Sequence, residues 1–196
     1  MAKTMKTILV LLLAFPFLVA VAVGEHCPGV RSLPVEAACQ EACGTRLMYD
    51  MCMDTLHEDE DLGKLGFGPD PPQPHSVEVT AYAVLAAQRA RESFAATVDA
   101  ASGLLKGSLN RDERAKYDAC LVEYGYADFS MARVANDMLP GCRFAGLAEE
   151  YMKGLIPLES CRDRLMRLEA SPLYAMNLVD RNKELLAYSL GQLLGI

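Results

Sequence analysis

The sequence predicts an all-α protein: an up-down-up-down four-helix bundle, preceded by a helical hairpin and stapled by disulfides. Three observations carry this. Beyond residue 76, apolar residues recur in alternating three- and four-residue steps, with almost none of the strict alternation of a strand. Helix start and stop signals cut that stretch into four segments joined by short turns, the arrangement of an antiparallel bundle. All seven cysteines follow an N-terminal segment with the marks of a secretory leader.

That leader comes first. Lys3 and Lys6 precede an apolar run from Ile8 to Val23, and small residues follow at Ala20, Ala22 and Gly24. The expected division is a signal peptide over 1–24 and a mature domain over 25–196. The run is short for a membrane span and holds Pro16 in its middle, so no membrane partner is expected of the mature form. Without Lys3 and Lys6, 17 basic residues face 26 acidic ones, a net charge of −9. A chain so acidic and without a basic stripe does not bind nucleic acid through its phosphates.

Residues 31–57 read as a helical hairpin carrying Cys43, Tyr49, Cys52 and Leu56. The segment 58–76 holds four prolines and three glycines behind the acidic cluster Asp59, Glu60 and Asp61. It reads as a solvated linker, since it has neither the alternating ligands of an EF-hand loop nor the Gly-Lys-Ser/Thr of a phosphate loop.

The bundle then spans 77–196. Its first helix carries Val77, Val84, Ala87, Phe94, Val98, Ala101 and Leu105, with Arg91 snorkelling at the edge of the stripe. Asn110 and Glu113 form a capping box for the second, whose face is Tyr117, Cys120, Leu121, Tyr124, Ala127, Met131, Val134 and Met138. Pro140-Gly141 stops it. The third carries Phe144, Leu147, Tyr151, Leu155, Leu158, Cys161, Leu165 and Leu168, with a kink or break expected at Pro157. Ser171-Pro172 opens the last, read as facing inward through Met176, Val179, Leu186, Leu190 and Leu193.

Catalysis has no foothold in this pattern. There is no Gly-x-Ser-x-Gly elbow and no His-Glu-x-x-His. His26, His57 and His75 share no metal-ligand spacing with one another. No catalytic residue, metal or cofactor is therefore expected. A secretory route makes disulfides the default for the cysteines. Seven allow three bonds and one thiol, and composition alone does not say which is left over.

The cysteines and their neighbours resemble a known family. Cys43-x8-Cys52 runs on to Leu56, Cys120-Leu121-Val122-Glu123-Tyr124 follows, and Ser171-Pro172-Leu173 opens the final helix. Their order and spacing are similar to those of the plant invertase and pectin methylesterase inhibitors, secreted four-helix bundles behind a disulfide-locked hairpin. The resemblance implies pairing of Cys43 with Cys52 and of Cys120 with Cys161. Cys27, Cys39 and Cys142 are extra. Cys27 with Cys39 offers a third bond that would leave Cys142 free, but Cys39 and Cys43 stand four apart, so one helix would bring both near Cys52.

The function implied is non-enzymatic: stoichiometric inhibition of a plant pectin methylesterase in the cell wall by a monomer. An acid invertase is the alternative target, reached by the turn holding Arg143 and Phe144, which resembles that family's Pro-Lys-Phe plug. On pattern alone, Phe144 also falls in phase with Leu147 and Tyr151 as a core residue. A secreted helical carrier of an apolar ligand is the reading from another class.

Overall fold

A computed structural model describes residues 26–56, 76–168 and 171–196. The leader and nearly all of the predicted linker lie outside the described residues. The chain opens with a strand β1 (Ser32–Leu33), then helices α1 (Val35–Ala42) and α2 (Arg46–Leu56). A strand β2 (Val77–Glu78) leads into α3 (Val79–Leu105), followed by α4 (Arg111–Arg133), which passes into a π-helical turn (Val134–Met138). Helices α5 (Leu147–Leu165) and α6 (Pro172–Gln192) complete the bundle. β1 and β2 pair antiparallel with Ser32 opposite Glu78, fastening the N-terminal arm to the start of α3.

The helix starts are set locally. Asn110 accepts from the Glu113 amide while the Glu113 carboxylate accepts from Asn110 N–H, a complete capping box. Ser171 Oγ accepts from the Leu173 amide, with Pro172 at the first helical position. α5 runs unbroken through Pro157, where a kink or break was expected. The proline ring is buried, and the carbonyl that loses its partner belongs to Lys153, a residue on the exposed side of the helix.

Two helices of 8 and 11 residues do not hold together alone. α1 packs on α6, and α2 on α3 and α6, burying Ala38, Cys39, Cys52 and Leu56. The bonds are Cys39–Cys52, Cys27–Cys142 and Cys120–Cys161, with Cys43 free.

This corrects two expectations. Cys43 does not pair with Cys52, because it caps α1 one turn beyond Cys39, half-buried, with its thiol donating to the Met48 carbonyl. Cys39 faces Cys52 with both side chains fully enclosed and Cα atoms 5.6 Å apart. Cys27 does not pair with Cys39 either. The strand pairing carries the arm to the opposite partner, Cys142, at a Cα separation of 5.4 Å. For sequence separations of 13, 41 and 115, loop entropy gives roughly 3, 4 and 5 kcal/mol of stabilisation.

The inner face of α6 is also a finding. Val179 stands 47% exposed, and the buried positions from the helix start through residue 184 are Leu173, Asn177, Asp180 and Glu184. Asp180 accepts hydrogen bonds from Ser93 (2.5 Å) and Thr97 (2.6 Å) of α3 and from Tyr124 (2.6 Å) of α4. Asn177 donates to Tyr124 Oη and to the Leu158 carbonyl of α5. Glu184, one turn on, has no hydrogen-bond partner for either oxygen among the described residues. It occupies space left by Gly154, where a Cβ would collide with its carboxyl group.

Two outcomes check these points. Burial, with Asp180 adding to it, pushes the Glu184 carboxyl up to about 9 from an ordinary 4.5. The stability it contributes is complete below about 4.5 and is lost as pH rises through about 9. The melting temperature should therefore fall between these pH values in the wild type and fall less in Glu184→Gln. Equal slopes in the two proteins would show that Glu184 does not enter the fold protonated. Alkylation under denaturing, non-reducing conditions should label one cysteine, Cys43, and peptide mapping should recover Cys39 bonded to Cys52.

Candidate protein-docking site

Two surface features at α4 and α5 stand apart from the rest. The first is an apolar ridge. Val122, Tyr126 and Phe129 are 58%, 61% and 65% exposed and recur at four- and three-residue steps along α4. Each lies two positions beyond a core residue, Cys120, Tyr124 or Ala127, which sets it about 200° round the helix and out of the bundle. α5 runs antiparallel beside α4, with Ser160 bonded to Glu123 and Arg133 to Glu150. That register brings Ile156 and Met152, 61% and 39% exposed, level with Tyr126 and Phe129.

The ridge has a basic border. Arg133 and Lys153 each approach the Glu150 carboxylate at 3.1 Å, and Glu150 itself is only 3% exposed. Arg164 pairs with Glu123 on the same seam. On the other flank of α4, Arg91 and Asp128 bridge to α3 at 2.8 Å over an open groove of about 610 Å³ floored by Phe94, Val98 and Leu121. Exposed aromatic residues backed by a rigid helix, with arginine beside them, are the usual anchors of protein recognition.

The second feature is the turn between α4 and α5. The π-helical segment closes with the Leu139 amide on the Val134 carbonyl. Cys142 adopts φ 51°, a left-handed conformation uncommon for any residue but glycine or asparagine. Gly141 has no room for a side chain, since a Cβ would stand 2.7 Å from the Asp137 carbonyl, and the Arg143 side chain folds over it. Gly146, at φ 76°, then opens α5.

Both residues of the sequence-level site lie here, with different surroundings. Arg143 is exposed and no carboxylate among the described residues pairs with it, whereas Phe144 is half-buried against the core. The turn presents a guanidinium and uses the phenyl ring to seat itself.

Sequence reasoning missed the ridge. The signal was available, because α4 carries two apolar stripes and only one can face the core. Among the described residues no group of three or more His, Cys, Asp or Glu side chains is placed to hold a metal ion, and no helix is long and apolar enough to cross a membrane.

No family model matches the sequence, and no curated protein matches it. Solved structures do. A mutant form of a pectin methylesterase inhibitor from Arabidopsis superposes with a TM-score of 0.63 at 15% identity, over 82% of this chain and 97% of the inhibitor. The chain has the fold of the pectin methylesterase inhibitors. A second such inhibitor from Arabidopsis thaliana gives 0.55 at 14% identity, over 82% and 95% of the two chains. Identity so low leaves the surface residues of this inhibitor fold to be read on their own terms.

The turn's construction gives a direct check. Gly141→Ala should destabilise the protein by about 1–3 kcal/mol, because the colliding atom is backbone and does not rotate away. Gly103→Ala, an exposed helix position with open space around its Cβ, should instead be neutral or stabilising by up to about 1 kcal/mol. Urea melts of the two variants make the comparison.

Proposed function

We propose that this chain is a secreted inhibitor of pectin methylesterase. It binds the enzyme one-to-one, without a covalent bond, and lays the α4–α5 face over the active-site cleft. The observation that carries the reading is the apolar ridge Val122–Tyr126–Phe129 on a bundle whose fold matches solved pectin methylesterase inhibitors over almost their whole length. Burying a large apolar side chain at an interface contributes about 1.5–3 kcal/mol, and a ridge of three aligned along one helix provides a continuous hot spot. Six of the seven cysteines are in disulfides, which fits an oxidising extracellular destination such as the cell wall. The leader over 1–24 supplies the route, and the mature chain works as a monomer with no cofactor.

The second reading is inhibition of an acid invertase. It draws on the rigid, exposed Arg143 at the α4–α5 turn, a compact cationic point suited to a carboxylate-lined sugar site. The two readings give the leading contact to different surfaces of one molecule.

One titration separates them. The oxidised protein over residues 25–196 is added to a plant pectin methylesterase and, in parallel, to a plant acid invertase. Stoichiometric loss of esterase activity alone is expected. Tyr126→Ala and Phe129→Ala should each weaken it by about tenfold or more, with unchanged melting temperatures since both rings lie outside the core. Inhibition of invertase alone, abolished by Arg143→Ala and untouched by the ridge variants, would overturn the first reading in favour of the second. If neither enzyme responds, the inhibitor reading is wrong and the groove between α3 and α4 becomes the place to look for a ligand.

A further inference from the structure

The bond Cys27–Cys142 is absent from the cysteine pattern that the inhibitor resemblance implies, and its two ends are both prepared. At the arm, Glu78 is 5% exposed and accepts the Cys27 amide on both carboxylate oxygens, at 3.2 and 3.1 Å, while His26 Nδ1 lies 2.9 Å from the same group. Three residues further on, the Val30 amide returns to the Cys27 carbonyl. β1 then pairs with β2, the Val79 amide bonds the Arg31 carbonyl, and Tyr82 Oη donates to the Leu33 carbonyl at 2.9 Å. Burial pushes the Tyr82 hydroxyl up to about 12, so it remains a donor across the physiological range. Eight residues of arm are thus nailed along the start of α3, with Cys27 at the far end.

At the turn, Cys142 is the one non-glycine residue with positive φ among the described residues. It is flanked by Gly141, whose Cβ position is filled, and by Arg143, whose amide bonds the Met138 carbonyl at 2.8 Å. A left-handed non-glycine residue is disfavoured and persists only where its surroundings hold it. The π-helical segment just before it is a second departure from regular geometry, and such segments are often found at functional positions. Strain, a hydrogen-bonded arm and a covalent tie converge on a turn whose exposed guanidinium, Arg143, meets no carboxylate among the described residues. An arm whose task was only to cover the core would need neither the bond nor the strain.

We propose that the N-terminal arm is a strap. Through Cys27–Cys142 and the Glu78 clamp it holds the Arg143 turn in the conformation that contacts the target enzyme, so Cys27, Glu78 and Cys142 are positioning residues for inhibition. This rests on the inhibitor reading and extends it. The ridge on α4–α5 supplies the broad contact, and the strapped turn supplies a preorganised cationic contact at its edge, for which a carboxylate of the target is the fitting partner. A turn ordered before binding loses less entropy on binding, and the strap supplies that order in the free protein.

The test compares Cys27→Ser/Cys142→Ser with the wild type and with Cys39→Ser/Cys52→Ser, which removes the bond inside the α1–α2 hairpin. Glu78→Gln, which loosens the clamp and leaves every disulfide in place, covers the case in which the double serine variant does not fold. Two readouts are taken at a temperature where all proteins are folded: inhibition of the responsive enzyme, and hydrogen exchange at the Gly141, Cys142 and Arg143 amides. In the strap variants those amides should exchange about tenfold faster or more, while the core amides of Ala127, Leu158 and Leu190 hold their wild-type rates. Inhibition should weaken by about tenfold, and Arg143→Ala should add little to that loss. Cys39→Ser/Cys52→Ser should lower the melting temperature and leave both readouts unchanged.

The proposal is overturned if the turn exchanges at the wild-type rate without the bond, or if it loosens while inhibition stays intact. It is likewise overturned if the control variant loses inhibition to the same degree, since the bonds would then act through stability alone. If the wild type inhibits neither enzyme, the inhibitor reading falls. In that case the exchange rates still decide whether the arm orders the turn.

Discussion

Asp180 is the interaction on which the bundle turns. Its carboxylate, 1% exposed, gathers hydroxyls from Ser93 and Thr97 of α3 and Tyr124 of α4 at 2.5–2.6 Å. Tyr124 in turn accepts from Asn177, which also holds the Leu158 carbonyl of α5. One side chain on α6 is therefore linked directly to α3 and α4, and to α5 through Tyr124 and Asn177. A buried carboxylate without partners would be heavily penalised, and with three donors it instead fixes rotation and register. Apolar packing alone tolerates helices sliding past one another. This hub does not, and the surfaces on α4 and α5 inherit their precision from it.

Much of the fold was legible because it rests on local chemistry. The capping box at Asn110, the Ser171-Pro172 start and the Pro140-Gly141 stop each act within a few residues, and the stripe from Tyr117 to Met138 follows helical period. The phase of α6 was not legible in this way. Hydrophobic periodicity assumes that inner residues are apolar, and it selected Met176 and Val179. The inner face is Asn177, Asp180 and Glu184 because partners for it sit far away in sequence, 83 and 87 positions upstream in the case of Thr97 and Ser93. Nothing within α6 announces those hydroxyls.

The cysteines divide along the same line. Cys120 and Cys161 stand on the core stripes of adjacent helices and are joined. The hairpin choice between Cys39 and Cys43 depends on where α1 ends, one turn of helix deciding which sulfur faces inward. The destination of Cys27 depends on a two-residue strand pairing that no pattern in the sequence marks. The apolar ridge is a different case: Val122, Tyr126 and Phe129 define a second stripe on α4 by their own spacing, and only the packing of the bundle tells which stripe faces out. Arg143 and Phe144 were found as a pair, yet only Arg143 is displayed.

The three disulfides also settle what a broken backbone would do to this molecule. Cys27–Cys142 closes a ring spanning a separation of 115 residues, and Cys120–Cys161, with a separation of 41, overlaps that ring. A single peptide-bond cleavage anywhere between Cys27 and Cys161 therefore releases no fragment, because one ring or the other still joins the two sides of the cut. That interval includes the whole Pro- and Gly-rich segment between hairpin and bundle. The chain is built so that a nick changes its connectivity without changing its composition, and the helices that meet at Asp180 stay tethered through it.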